Sequence, residues 1–337
     1  MQTLARHFYL LLILAAIIGC SPADTGSTDE GQTEIPTYPD KPGEEDGSGD
    51  DMPDEEDLTV TERILERTDL IKELTSEKVH ELEEHVTATE LSYISPEDRP
   101  MAMFIFEAEL AGGITITQTT PYNKGTGNGK QPVTEQALEV DSRYRTILGG
   151  TNADFFTDNG PQGICHHNGV PLKTTFNSSP SRPRSFFYIT RTGLARTAPA
   201  ADYQDVSETI YEACGGGPVL VSDGQAIEIP DPNDLSVEPR TCIGASEDGK
   251  TVYIMVVDGR RASYSNGMDF SDMAVIMKAL GCWSAINLDG GGSSTFYIRT
   301  DNSETSFDNP DRFEILNSPS DGSERAVWNG LAIIRRS

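Results

Sequence analysis

Asn287 and Asp289 stand at the end of an apolar run and are followed at once by three glycines and two serines. A carboxylate at a strand end beside bare glycine backbone is well placed to hold a charged ligand. Glycine lets ligand atoms approach the amide N–H groups, and those groups can converge on an anion. A plain turn between strands is the alternative, although such a turn does not need so many polar side chains. The predicted ligand-binding residues of this turn are Gly290, Gly291, Gly292, Ser293 and Ser294.

Two further strand ends deliver polar side chains in the same way. Asn152 and Asp154 follow one apolar run, and Asp258 and Arg260 follow another. Residues two apart on an extended chain face the same side, so Asn152 and Asp154 can act together. An Asx turn that ends the strand is the alternative for these two residues. The sequence therefore predicts a site to which three strand ends contribute.

Hydrophobic periodicity predicts the elements that position these residues. A period of two predicts strands, and a period near 3.6 with suitable cap residues predicts helices. The predicted strands are 86–94, 101–110, 114–119, 146–150, 185–190, 219–221 and 251–257. The predicted helices are two short ones between residues 61 and 85, then 133–144, 205–213, and one from the N-cap Asp269 to the stop at Gly281.

The first twenty residues have the composition of an export signal. Arg6 and His7 precede an apolar run from Phe8 to Ile18, which is too short to cross a bilayer. The run closes on small residues before Cys20, so it resembles a bacterial lipoprotein signal, which implies cleavage before Cys20 and lipidation of that cysteine. An ordinary signal peptide with an incidental cysteine is the alternative. We expect an exported chain, anchored to the cell envelope by its lipid only and facing the periplasm or the cell exterior.

Residues 21–57 carry fourteen Asp or Glu and one Lys, close to half of the net charge of −28. Such a segment buries too little apolar surface to offset its ordering entropy, so it is predicted to be a disordered spacer. The acidity argues against a nucleic-acid partner. Residues 58–92 are predicted to be N-terminal helices and a first strand that pack on the domain, and residues 93–337 to be the single catalytic domain of a monomer.

The remaining cysteines are Cys165, Cys214, Cys242 and Cys282. In an exported protein they can form two disulfides in any of three connectivities, or one bridge and two buried thiols. They include no Cys-x-x-Cys pair, which argues against a zinc site. The adjacent His166 and His167 point to opposite faces of a strand, which argues against a metal-binding pair there.

Six motifs occur in order along the second part of the chain. They are Asn-Ala-Asp-Phe-Phe at 152–156, Gly-Gly-Gly-Pro at 215–218, Arg-Thr with Gly at 240–244, Val-Val-Asp-Gly-Arg at 256–260, Ser-x-Gly at 265–267 and Asn-Leu-Asp-Gly-Gly-Gly-Ser-Ser at 287–294. Over about residues 93–336 this pattern resembles the phosphodiester glycosidase family, to which the mannose 6-phosphate uncovering enzyme belongs. Asp154 stands where glycine is expected. The resemblance implies an α+β domain with a mixed, largely antiparallel sheet and flanking helices.

The resemblance also implies hydrolysis of an N-acetylglucosamine-like sugar from a sugar-phosphate diester or phosphoglycan. Cleavage of the C1–O bond expels a phosphomonoester, a good leaving group, so the site needs a carboxylate more than a strong general acid. Asp289 and Asp258 are the predicted catalytic carboxylates. Arg240 is the predicted phosphate-holding cation, because its planar fork matches phosphate oxygens. The other predicted substrate contacts are Asn152, Asp154, Arg260 and Ser265.

Two alternatives stay open at this point. The domain binds phosphorylated glycans at the cell surface without cleaving them, or a divalent cation on the three aspartates promotes P–O cleavage and makes the protein a phosphodiesterase. The glycosidase reading requires no cofactor and no metal ligands. Sensitivity to a chelator separates it from the phosphodiesterase.

Overall fold

The computed structural model describes residues 58–177, 183–228, 236–301 and 306–337. These residues form short helices and many strands. The helices are α1 (Val60–Arg67), α2 (Val133–Val140), α3 (Tyr203–Val206) and α4 (Phe270–Ala279). The strands are β1 (Glu73–Glu83), β2 (Val86–Ile94), β3 (Pro100–Glu109), β4 (Ile114–Thr119), β5 (Arg145–Asn152), β6 (Phe156–Thr157), β7 (Gly160–Pro161), β8 (Cys165–His167), β9 (Val170–Lys173), β10 (Ser185–Thr190), β11 (Ala195–Pro199), β12 (Ile210–Gly216), β13 (Val219–Ser222), β14 (Gln225–Ala226), β15 (Arg240–Ala245), β16 (Thr251–Val257), β17 (Ser284–Asn287), β18 (Phe296–Arg299), β19 (Phe313–Ile315) and β20 (Gly330–Arg336).

Three sheets account for most of the strands. The first has the order β1-β2-β3-β16-β15-β17-β13-β14, the second β11-β10-β12-β8-β9 and the third β19-β18-β5-β20-β4. The prediction of largely antiparallel sheets is confirmed. The expectation of a mixed sheet is wrong for the described residues, because every strand pair among them is antiparallel. The flanking helices are few and short.

The eight-stranded sheet is apolar on both faces because a core lies against each. Phe104 and Phe106 of β3 and Ile254 of β16 face a central core that the two five-stranded sheets also line. Met103 and Met255, one residue away from these on the same strands, face a second core that α1 and α4 cover. This alternation follows from the period-two geometry of a strand. Helix α2 covers the outer face of the third sheet.

Helix ends follow the capping signals in the sequence. Helix α1 begins with a capping box in which the Thr59 hydroxyl accepts from Glu62 N and the Glu62 carboxylate accepts from Thr59 N. The predicted N-cap Asp269 is confirmed, since its carboxylate accepts from Asp272 N at 3.0 Å. Gly281, at φ 100°, follows the end of α4 in the left-handed conformation that glycine adopts most easily.

Two predicted helices are wrong. The second N-terminal helix is instead β1, which pairs with β2 along its length. Val79 and Leu82 have the three-residue spacing of a helix face, which led to the wrong prediction. The strand is in fact largely exposed, and Val79 itself is 46% exposed. The helix predicted at 205–213 is limited to α3, and β12 begins at Ile210.

A buried ion cluster ties α2 to the third sheet. Asp141, the C-cap of α2, pairs with Arg299 at the end of β18 and with Arg312, the latter at 2.6 Å. Their side chains are only 0%, 1% and 6% exposed, respectively. Removing one partner from such a buried cluster leaves an uncompensated charge. Asp141 is therefore a stabilising residue remote from the strand-end motifs.

The predictions for the N-terminus concern residues that lie outside this description. The signal segment, Cys20 and the acidic spacer at 21–57 all precede residue 58. Within the described ranges, no helix is both long and apolar enough to cross a membrane. The boundary at residues 92 and 93 stays a prediction, and β1 and β2 belong to the same sheet as β16.

Candidate active site

Three adjacent strands of the eight-stranded sheet bring the predicted residues to one edge. Arg240, the first residue of β15, lies opposite Val257, the last residue of β16, so Asp258 emerges beside it. Strand β17 pairs with β15 from the other side and delivers Asp289 two residues after its end. Antiparallel neighbours place the start of one strand next to the ends of the others. The structure therefore gathers Arg240, Asp258 and Asp289 as the sequence predicted.

Asp289 is the partly buried carboxylate at this edge. Its backbone N–H donates to Ala153 O at 2.9 Å, and its Oδ1 accepts from Gly290 N at 3.0 Å. Burial raises the pKa of Asp289 to about 6, while hydrogen bonds from the Ser293 hydroxyl and Gly290 N lower it and the charge of Asp154 raises it further. A carboxyl with a pKa of about 6 can exchange a proton near neutral pH. Asp289 is thus suited to acid–base chemistry.

Asp258 has a different environment from Asp289. It is 1% exposed, and its Oδ1 accepts from Asn317 Nδ2 at 2.8 Å. Its Oδ2 accepts from Ser318 N at 2.6 Å and from the Tyr264 hydroxyl at 3.0 Å. Burial raises the pKa of Asp258, and these bonds oppose that rise. Both oxygens accept hydrogen bonds from protein groups, and these bonds hold the carboxylate in place. The catalytic role of Asp258 stays a prediction.

Ser265 belongs to the same structural cluster. Its hydroxyl donates to Asp258 O at 2.6 Å and accepts from Ala102 N at 3.0 Å. The side chain is fully buried. The predicted contact between Ser265 and a substrate is therefore not what the structure shows, because the hydroxyl holds the loop after β16 against β3.

Arg240 is anchored to the backbone near α4. Its Nε donates to Met268 O at 3.0 Å, and its Nη2 donates to Ser236 O at 2.6 Å. The guanidinium lies over the Phe270 ring, with 4.0 Å between its central carbon and the ring centroid. These contacts fix the entry of β15. They hold the guanidinium in place and occupy its Nε and Nη2 donors, which reduces the number of donors that could bind the predicted phosphate.

Two other arginines flank the glycine turn that follows Asp289. A Cβ atom on Gly291 would lie 3.1 and 3.3 Å from the two Nη atoms of Arg260. A Cβ atom on Gly292 would overlap with the guanidinium of Arg325, whose Nη1 donates to Ser293 Oγ at 3.3 Å. Both arginines are partly exposed and form ion pairs, Arg260 with Glu238 and Arg325 with Asp321. Arg260 was predicted at the site, and Arg325 was not.

The backbone of the turn does not form the predicted anion cradle. The N–H groups of Gly290 and Gly291 donate to Asp289 Oδ1 and Pro239 O, the second at 2.8 Å. The N–H groups of Ser293 and Ser294 donate to carbonyl oxygens within the turn, each at 3.2 Å. The turn therefore uses these amides to hold itself and Asp289.

Asn152 is buried and connects its own motif, at 152–156, to the motif that contains Asp289. Its Nδ2 donates to Asp289 O at 2.6 Å, and its Oδ1 accepts from Thr241 Oγ1 at 3.1 Å and Thr295 N at 3.2 Å. The residue is 1% exposed. The predicted contact of Asn152 with a sugar hydroxyl gives way to a positioning role, because its amide orients the backbone that carries Asp289.

Asp154 is buried, pairs with Arg184, and lies close enough to Asp289 for its charge to raise the pKa of that residue. It also accepts a hydrogen bond from Gly163 N, and the Arg184 guanidinium lies over the Phe155 ring at 5.0 Å. Burial raises the pKa of Asp154, and the charge of Arg184 lowers it. A Cβ atom on Gly215 would lie 2.6 Å from Asp154 Oδ2, so the first glycine of the second motif makes room for this carboxylate. Arg184 was missed because it stands alone in the sequence, thirty residues from its partner.

Metal-binding geometry is absent from the described ranges. They contain no group of three or more His, Cys, Asp or Glu side chains arranged to hold an ion, so Asp154, Asp258 and Asp289 do not form a cation site there. His166 contacts the Tyr203 hydroxyl at 2.9 Å and His167 contacts Glu212 at 3.1 Å.

The chain is similar to several known proteins. The family model for phosphodiester glycosidases matches residues 145–334, more than half of the chain. The zebrafish N-acetylglucosamine-1-phosphodiester alpha-N-acetylglucosaminidase catalytic domain, auto-inhibited by its pro-peptide, superposes with a TM-score of 0.55 at 18% identity over 77% of this chain and 87% of that one. A hypothetical protein from Synechocystis superposes with a TM-score of 0.55 at 13% identity over 77% of this chain and 64% of that one.

These structural likenesses, at low identity, show the fold alone. A curated relative, the SPbeta prophage-derived uncharacterized protein YomE of Bacillus subtilis, is 40% identical over 101 residues. That match takes in 30% of this chain and 13% of the relative's length, so it covers a small part of a much longer protein.

Proposed function

Because the chain belongs to the phosphodiester glycosidase family, we propose that it hydrolyses a sugar-phosphate diester and releases the sugar by cleaving the C1–O bond. The observation that carries this proposal is Asp289, a partly buried carboxylate with a pKa of about 6 beside two partly exposed arginines. In such a reaction a carboxylate assists the attack on the sugar carbon, and arginines bind the phosphate.

The chemistry follows from these positions. Arg260 and Arg325 hold the phosphate oxygens at the rim of the glycine turn. Asp289 takes a proton from a water molecule as the water oxygen attacks C1, and the C1–O bond breaks with its electron pair leaving on the phosphomonoester. That leaving group departs as an anion, so the site needs no strong general acid. Asn152 keeps the backbone of Asp289 in place during the reaction.

The proposed sugar is N-acetylglucosamine or a close relative. The support is the fold shared with the zebrafish enzyme, whose name specifies that sugar. We propose that the reaction takes place outside the cytoplasm, on a chain anchored through Cys20. The export pattern at residues 1–20 supports this location.

The test uses the full-length chain and an α-N-acetylglucosamine phosphodiester in ¹⁸O-water, with and without EDTA. We expect free sugar that carries the label at C1, an unlabelled phosphomonoester, and a rate that the chelator does not change. Label in the phosphate, together with loss of the rate in EDTA, would establish the metal phosphodiesterase instead. Binding of the diester without any product would establish the glycan-binding alternative.

Asp289→Asn is the matching variant, and we expect its rate to fall by about 10²–10⁴-fold because a general base contributes on that scale. Asp205→Asn is the control, since Asp205 is an exposed carboxylate on α3. Proton NMR of the first-formed sugar distinguishes a base from a nucleophile, because a base toward water inverts the anomeric centre and a carboxylate nucleophile retains it. Equal rates in wild type and Asp289→Asn would contradict the assignment.

A further inference from the structure

Cys165 and Cys214 lie directly opposite each other in the second sheet. Strand β8 pairs with β12 in the register Cys214 to Cys165. Gly215 N donates to Ile164 O at 3.0 Å, one residue beyond this pair on each strand. That bond makes the two cysteines a non-hydrogen-bonded pair, in which the side chains share a face and the Cα atoms are about 4.5 Å apart. A disulfide accepts Cα separations of about 4.4–6.8 Å.

The other two cysteines are placed differently. Cys242 lies opposite Asn287, whereas Cys282 comes before Ser284, the first residue of β17. Cys282 therefore lies outside the strand ladder and has no register position opposite Cys242. Its sulfur packs instead against Gly244, where a Cβ atom would lie 2.6 Å from Sγ. Among the four cysteines, the strand register thus makes only Cys165 and Cys214 direct cross-strand partners.

All four cysteines are buried free thiols in this structure. We propose that Cys165 and Cys214 form a disulfide in the oxidised protein, and that Cys242 and Cys282 stay thiols. In the bond-forming step the two thiols lose two protons and two electrons to a disulfide oxidant, which becomes two thiols. Any oxidant of the thiol–disulfide class supplies this step, whether it is a small disulfide or an export-pathway oxidoreductase. The inference rests on strand register and is independent of the proposed reaction.

Burial decides when this bond forms. Both thiols are fully buried, and burial raises the pKa of Cys165 and of Cys214 far above the ordinary value. Only the thiolate attacks a disulfide, so exchange is slow once the sheets have packed. The bond therefore closes while the chain folds, and afterwards it resists external reductants.

Both cysteines lie close enough to Asp154 for its charge to raise the pKa of each thiol. Gly163 N donates to Asp154, and a Cβ atom on Gly215 would meet Asp154 Oδ2. A bond between Cys165 and Cys214 ties together the two segments that enclose this carboxylate. The disulfide thus holds the floor of the candidate site.

Peptide mapping tests the proposal directly. The full-length chain is unfolded, refolded in a mixture of reduced and oxidised glutathione, unfolded again without reductant, alkylated with iodoacetamide and digested. We expect a peptide linked through Cys165 and Cys214, with Cys242 and Cys282 alkylated. Alkylation of all four cysteines, or any other pairing, would overturn the proposal.

Two double variants and a melting experiment complete the test. Cys242→Ala with Cys282→Ala should keep the linked peptide, and Cys165→Ala with Cys214→Ala should lack it. Reduction under unfolding conditions, followed by refolding in reductant, should lower the Tm of wild type by on the order of 8 °C, because the bridge closes a loop of about fifty residues. The Tm of the Cys165→Ala, Cys214→Ala protein should not respond to reductant. If that variant does not fold, the peptide map of wild type decides alone.

Discussion

Replacing Asp289 by asparagine should stabilise the protein at neutral pH while it removes activity. The pKa of Asp289 is raised from 3.8 to about 6, chiefly by burial. The folded state therefore binds a proton that the unfolded state has lost between about pH 4 and pH 6, and stability falls as the pH rises through that window. A rise of about two pKa units corresponds to about 3 kcal/mol at pH values above both pKa values.

The measurement compares urea unfolding of wild type and Asp289→Asn at pH 4.5 and pH 7.5. Integrating the linkage relation between these two values gives a loss of about 2 kcal/mol in wild type that the variant does not share. Taking the difference between the two pH values cancels any change in packing that the substitution causes. Asp205→Asn is the control and should follow wild type, because Asp205 is exposed.

The result that would refute the reasoning is a pH dependence common to wild type and Asp289→Asn. Asp289 would then titrate as an ordinary aspartate, and its assignment as a base with a matched pKa would fail. An inactive variant with increased stability would instead show that the site sacrifices folding free energy for reactivity, which is typical of catalytic groups.

Three further outcomes follow from the contacts. Arg325→Gln should move the acidic limb of kcat/KM up by about 0.5–1 pH unit, because the charge of Arg325 lowers the pKa of Asp289 across partly exposed surface. Arg260→Gln should raise KM without moving that limb. Asp141→Asn should lower the free energy of unfolding by about 3–5 kcal/mol, seen as a lower urea midpoint, with unchanged kcat per folded molecule. Gly215→Ala should lower kcat at least about tenfold, because the added methyl group displaces the buried Asp154 carboxylate, and small displacements cost activity even away from the reacting atoms. Three results would contradict these expectations: the same pH shift in both arginine variants, an unchanged urea midpoint for Asp141→Asn, or an unchanged kcat for Gly215→Ala.

Strand positions were predictable wherever a strand is buried on one or both faces. The strands at 114–119, 185–190 and 251–257 have the predicted bounds, because their residues alternate between two apolar environments or form a continuous apolar run. Strand β1 was mistaken for a helix because most of its side chains are exposed, which removes the period-two signal. Local pattern therefore fails where tertiary pairing alone makes the strand.

The sequence identified the strand ends that carry carboxylates but not the roles of those carboxylates. Asp258 accepts a hydrogen bond from Asn317, fifty-nine residues away, and Asp154 forms an ion pair with Arg184, thirty residues away. No local motif reveals either partner. Among the three strand-end aspartates, Asp289 is left as the one that is only partly buried, with a pKa raised to about 6. This selection depends on contacts between distant segments and on burial, which the spacing of residues does not encode.

The glycines of the motifs at 215–218 and 287–294 have a physical explanation other than anion binding by the backbone. A Cβ atom on Gly215 would meet Asp154, on Gly291 it would crowd Arg260, and on Gly292 it would overlap with Arg325. Each of these glycines therefore makes space for a charged side chain within reach of Asp289, while most amides of the second turn serve the turn itself. A glycine-rich stretch after a strand is thus consistent with two designs, an amide cradle or a close approach of side chains. Here the positions of Arg260 and Arg325 favour the second design. In the proposed reaction, the positive charge that binds the phosphate therefore comes from side chains rather than from the backbone.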